Sequence, residues 1–188
     1  MEVFNYSIVH ILREINVCID KKLYYVALTT ALTIPDICSK LVSDEKQVKD
    51  RYVQWCNRYL FEYLPVMNKY LIQKTDWGNI IYQLRCSILH NAENDVEKKP
   101  EKYGNFKVSH FKFYVDDNEE CYTQPLVMNT KKNLCDRTFK QEVAIDINIG
   151  YMAFILVQGA MKFIKENKIE ECQFPSLEIE LKTYGNSL

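Results

Sequence analysis

The sequence predicts a mainly α-helical protein, an up-and-down helical bundle with a small antiparallel β-hairpin or sheet inserted before its last long helix. Three observations lead there. Only 5 Gly and 5 Pro in 188 residues leave few chain breakers, which suits long helices better than the frequent turns of a sandwich or barrel. Apolar residues recur at spacings of three and four through most of the first half of the chain. Between about 105 and 147 that period gives way to alternation. With 47% hydrophobic and 26% charged residues the composition is that of a globular chain. The length suits one domain, 1–188, that buries its core without metal or disulfide staples.

Phe4, Ile8, Ile11, Leu12, Ile15 and Ile19 mark one face of a first helix. Lys22 to Val42 is apolar almost all round its first half, as a central helix would be, and Pro35 should kink or split it. Ser43 to Gln47 is a polar linker in which Ser43 or Asp44 can cap the next helix. That helix carries Val48, Tyr52, Trp55, Tyr59 and Tyr63 on one side and ends by Pro65. Asp76 is a candidate cap for a fourth helix, striped by Trp77, Ile81, Leu84 and Ile88. Asn91 to Asn105, with Pro100 and Gly104, reads as a surface loop.

Asn105 to Val115 alternates, DDNEE turns, and Cys121 to Met128 returns, which predicts a hairpin. A third strand is expected over Phe139 to Ile147, leading directly into a helix from about Asn148 to Asn167. In the tail, Leu177, Ile179 and Leu181 alternate and could add a short strand.

Lys+Arg 24 against Asp+Glu 25 gives a net charge of −1, so any contact with nucleic acid must be local rather than steered by a global positive field. Lys131, Lys132, Arg137 and Lys140 form one local basic cluster, which fits either solvated loop charge or an RNA backbone. Met1 to Asp20 has no basic stretch followed by an apolar run, and cytoplasmic residence is the expectation. Seven scattered cysteines without a C-x-x-C pair suggest reduced thiols and no zinc knuckle. The most apolar stretch, Val143 to Ile164, is interrupted by Asp146, Asn148, Gln158 and Lys162, so a buried core helix is expected rather than a membrane span.

The chain has three histidines. His10 and His110 have no second His, Cys pair or carboxylate cluster at ligand spacing, and neither a metal site nor a cofactor is expected. His90 differs. In Tyr82-Gln83-Leu84-Arg85-Cys86-Ser87-Ile88-Leu89-His90-Asn91 an Arg precedes a His by five residues late in a helix. On an ideal α-helix the two would point about 140° apart. A joint site therefore requires the helix to loosen near its end, or two copies to face each other. The alternative role for Arg85 and His90 is to cap the helix end, where the dipole favours cations.

The R-x4-H pattern RCSILH, its leucine-rich context and the preceding TALTIPDIC segment resemble the HEPN superfamily. The resemblance covers roughly Met1 to Asn94, with the helix near 148–167 as the last bundle helix and about 105–147 as an insertion. It implies a metal-independent endoribonuclease, a homodimer in which the two motifs meet, in toxin or antiviral defence settings, with an antitoxin or activator protein as a further partner. His90 would be the general acid/base and Arg85 the phosphate clamp, with Ser87 and Asn91 as weaker candidates for bonding ribose or phosphate. Cys86 departs from the polar residue that active members commonly carry after the Arg, and a thiol is a weak hydrogen-bonding group. The second reading is a catalytically silent HEPN-like dimerisation or sensing module that binds RNA, a nucleotide or a protein. A third is a scaffold with no ligand.

Overall fold

The computed structural model describes residues 2–63, 74–91, 102–103, 106–115, 126–131, 141–174 and 177–181, with the backbone alone described at 2–5, 74–76, 90–91, 102–103, 106–107, 126–131, 141–143 and 177–181. The protein is mainly helical. Its described elements run β1 (Glu2–Tyr6), α1 (Ile8–Asp20), α2 (Tyr24–Ala31), α3 (Ile34–Val42), α4 (Val48–Tyr59), α5 (Lys74–Cys86), β2 (Lys102–Tyr103), β3 (Phe106–Tyr114), β4 (Leu126–Lys131), β5 (Gln141–Asn148), α6 (Ile149–Asn167) and β6 (Leu177–Leu181).

Helix α1 starts later than its apolar stripe suggests. Phe4 belongs to β1, which pairs antiparallel with β6 so that Phe4 faces Ile179 in register. Ser7 marks the boundary, and the His10 ring nitrogen Nδ1 accepts from the Ser7 N–H at 3.1 Å. Ser7 Oγ also donates to Glu171 at 2.6 Å, which ties the start of α1 to the turn after α6. Ile8, Leu12 and Ile15 are buried, as their spacing requires.

Pro35 splits the next segment. Helix α2 ends at Ala31 and α3 restarts at Ile34 with Pro35 in its first turn, where the missing N–H costs nothing. Tyr24–Val42 is the stretch among the described residues that is apolar and long enough to cross a membrane by length and composition. Here it is two helices that send Ala27, Leu28, Ala31, Leu32, Ile34 and Cys38 into the core. The cap of α4 is Gln47, not Ser43 or Asp44. Ser43 instead ends α3, and its Oγ accepts from the Glu45 N–H at 3.2 Å. Pro65 lies outside the described residues.

The core joins the helices to the sheet through one cluster of buried side chains that includes Trp77, Phe163, Phe111 and Ile145. Trp55, Tyr59 and Phe163 pack ring against ring, with the Tyr59–Phe163 pair edge to face at 5.4 Å. Helix α6 comes close to α4 at Gly159, where a Cβ would meet Leu60 Cδ2 at 2.5 Å and Trp55 Cη2 at 3.0 Å. Asn148 ends β5 and caps α6, its Oδ1 accepting from the Tyr151 N–H at 3.0 Å.

The expected antiparallel hairpin is corrected by the structure. Strands β3 and β4 do not pair; β5 lies between them in a four-stranded sheet of order β2-β3-β5-β4. The β3–β5 pair is parallel, and β4 and β2 join antiparallel at the edges. The reason is visible in β5, where Ala144, Ile145 and Ile147 are all buried. Asn148, on the same face as Ala144, is buried too, and a strand with buried positions on both faces fits the middle of a sheet. The segment between β3 and β4 offers no Asn-Gly or Asp-Gly turn to force a tight hairpin.

Candidate functional site

Helix α5 presents the motif because it packs closely on α4. At Gly78 the two backbones nearly touch: the Gly78 N–H donates to Asn57 Oδ1 at 2.7 Å, and a Cβ there would lie 2.4 Å from the Val53 carbonyl oxygen. Trp77, Ile81, Leu84 and Ile88 are buried, as their spacing predicts. That buried stripe fixes the rotation of α5 and aims Arg85 at the seam between α3 and α4.

There Arg85 Nη2 meets Asp36 Oδ2 at 2.8 Å. The guanidinium carbon lies 5.7 Å from the centre of the Tyr52 ring and 5.8 Å from that of Tyr82, within cation–π range. The two rings meet edge to face at 5.4 Å. The Arg85 side chain is 16% exposed and that of Asp36 21%, so the pair is largely withdrawn from water but not sealed. Burial works against the Arg85 charge, and the attraction of Asp36 outweighs it and raises the guanidinium pKa above its ordinary value. Arg85 is a permanent cation here.

The two tyrosines beside it stay neutral. Burial first, then the nearby Cys56 and Asp36, push the Tyr52 hydroxyl well up, and its proton is committed to the Leu32 carbonyl at 3.0 Å. Burial also raises Tyr82, and Cys86, which shares a side-chain hydrogen bond with it one turn on, adds to the shift. Cys86 is half-buried and a free thiol, like the described Cys18, Cys38, Cys56 and Cys172.

After Cys86 the helix changes form. Ser87–Asn91 is a π turn, a wider turn bonded i→i+5 and often found at functional sites. Fewer degrees per residue than in an α-helix shrink the roughly 140° that would separate positions 85 and 90. The backbone thus loosens at the helix end, one of the two routes by which the two positions could be used together. The side chains of His90 and Asn91 lie outside the described residues. Ser87 is 5% exposed, so this candidate for bonding ribose or phosphate sits under the surface.

The other candidates lie elsewhere. His10 stacks on Tyr6 at 5.5 Å beside the start of α1. His110 lies in β3 at the point where its register with β5 shifts, and its Nδ1 is 2.9 Å from Ser109 Oγ. Lys131 ends β4, while Lys132, Arg137 and Lys140 lie outside the described residues. Among the described residues no group of three His, Cys, Asp or Glu could hold a metal ion.

Asp36 and Tyr52 were not singled out as site residues from the sequence. Asp36 carried a signal, since a carboxylate set among Ile34, Pro35, Ile37 and Cys38 faces burial and must find a cation. Tyr52 carried none, being one aromatic on a core stripe. Comparison with models of known families, with curated proteins and with solved structures finds no match for this chain.

Proposed function

We propose that the protein is a HEPN-like, metal-independent endoribonuclease that cuts single-stranded RNA as a homodimer. The observation that supports the reading most is the withdrawn, permanently charged Arg85 at the point where α5 widens into the π turn carrying His90. A ribose 2′-OH attacks the adjacent phosphorus, and the bond to the 5′-oxygen breaks. One histidine takes the 2′-OH proton and another, His90 of the second copy, gives a proton to the leaving oxygen. Arginine supplies fixed positive charge and a planar fork for the developing phosphorane oxygens. The products are a 2′,3′-cyclic phosphate and a 5′-hydroxyl. A toxin or antiviral defence setting, with an antitoxin or activator, is what the HEPN resemblance implies.

A second reading is favoured by one specific contact. Arg85 is already paired with Asp36, and Cys86 follows it, which suits a catalytically silent HEPN-like dimerisation or sensing module. The test is cleavage of mixed single-stranded RNA in EDTA by wild type, His90→Ala and Arg85→Ala, with oligomeric state measured on the same samples. Cutting by the wild type that both substitutions abolish while the dimer persists supports the endoribonuclease. A dimer that binds RNA and leaves it intact supports the silent module and refutes the enzyme.

A further inference from the structure

Asp36 reaches the motif from a different helix. It stands in the first turn of α3, beside Pro35, where the helix dipole favours a carboxylate. One of its oxygens meets Arg85 at 2.8 Å. The other, Oδ1, is buried and has no hydrogen-bond partner among the described residues. As a device for stability alone this is a poor arrangement. An ion pair taken out of water repays its desolvation only when its remaining lone pairs are satisfied, and an unmade bond at a buried oxygen is costly.

As a device for orientation it is effective. A guanidinium is a rigid plane of N–H donors. An anion fastened to one Nη, with the Tyr52 and Tyr82 rings at 5.7 and 5.8 Å, leaves that plane little freedom. A phosphate arriving at Arg85 meets a fork whose ordering entropy is already spent.

We propose that Asp36 is a positioning residue for Arg85, its carboxylate holding the guanidinium in the orientation that clamps the scissile phosphodiester. This role rests on the endoribonuclease reading of Arg85 and His90. Asp36→Asn keeps the size and one acceptor oxygen while removing the charge; Asp36→Glu keeps the charge and moves it by one methylene.

RNA cleavage in EDTA is measured for wild type, Asp36→Asn, Asp36→Glu, Arg85→Ala and the double variant Asp36→Asn/Arg85→Ala, with the melting temperature of every sample. RNA affinity serves as a second readout where turnover is too slow. In Asp36→Asn kcat falls about tenfold or more with a smaller change in KM, as expected for lost orientation, and Asp36→Glu falls between it and wild type. In the Arg85→Ala background the Asp36→Asn change makes no further difference, because Asp36 acts through Arg85. Losses that instead follow melting temperature and multiply onto Arg85→Ala, or an Asp36→Asn protein with wild-type turnover, overturn the positioning role and leave the endoribonuclease standing. A wild-type dimer that cuts no RNA overturns both.

Discussion

Gly78 stands seven residues before Arg85 on α5, two turns back along the same face, and its replacement by Ala tests how the site is held. The new Cβ would lie 2.4 Å from the Val53 carbonyl oxygen and 2.8 Å from Asn57 Oδ1. The first obstacle is main chain of α4 and cannot swing aside, so the helices must part. Parting them also stretches the 2.7 Å bond from the Gly78 N–H to Asn57. Overpacking of this kind costs about 1–3 kcal/mol, and alanine's better helix propensity returns about 1 kcal/mol. With a backbone obstacle the cost belongs at the upper end, for a net loss of about 2 kcal/mol. In a chain of this size that lowers Tm by about 4–8 °C. Gly150→Ala is the matched control: its Cβ would meet only Asn148 Oδ1, at an ordinary 3.7 Å, and it should be neutral or gain up to about 1 kcal/mol. Thermal unfolding followed by circular dichroism should place Gly78→Ala below wild type and Gly150→Ala at or above it. A Gly78→Ala protein that melts at or above wild type would refute the close approach as the contact that sets α5.

Tyr52→Phe removes the hydroxyl that donates to the Leu32 carbonyl and leaves that oxygen without its donor. It should cost about 1–3 kcal/mol in urea unfolding, and a loss below about 0.5 kcal/mol would contradict the assignment. Asn148→Ala removes the cap of α6 and should cost about 1 kcal/mol; an unchanged urea midpoint would show that the cap contributes nothing. Stability should also fall in alkali. Burial pushes the Cys38 and Cys56 thiols up, and burial followed by Cys56 and Asp36 pushes the Tyr52 hydroxyl up. Each group therefore ionises more readily in the unfolded chain, and the stability it contributes below its unfolded pKa is lost as pH rises. The decline should begin near about pH 9 and steepen above about pH 10. Urea midpoints that stay level or rise between those values would contradict it.

Helical spacing was legible where burial is one-sided. The stripe of Trp77, Ile81, Leu84 and Ile88 is buried as its period requires, and Pro35 divides its helix because its ring and missing N–H act locally. What escaped depends on partners distant in sequence. Phe4 has helical spacing to Ile8, yet its backbone pairs with Ile179 at the far end of the chain. The hairpin failed for the same reason: β3 and β4 are neighbours in sequence, but β5, with buried positions on both faces, takes the central place. At the candidate site Arg85 was singled out by its spacing to His90, and its burial beside α3 and α4 is what the structure adds. The identity of its anion was not legible, since nothing local ties position 36 to position 85.

In the proposed mechanism the RNA's own 2′-OH is the nucleophile, with His90 moving the protons and Arg85 holding the phosphate. The most direct test is a single-stranded RNA carrying one 2′-deoxynucleotide on the 5′ side of a mapped cleavage position, incubated with the wild-type protein in EDTA. Cutting should stop at that position alone, while neighbouring sites are still cut to cyclic-phosphate ends. Continued cutting at the deoxy position would show that the nucleophile comes from elsewhere and would contradict the proposed mechanism.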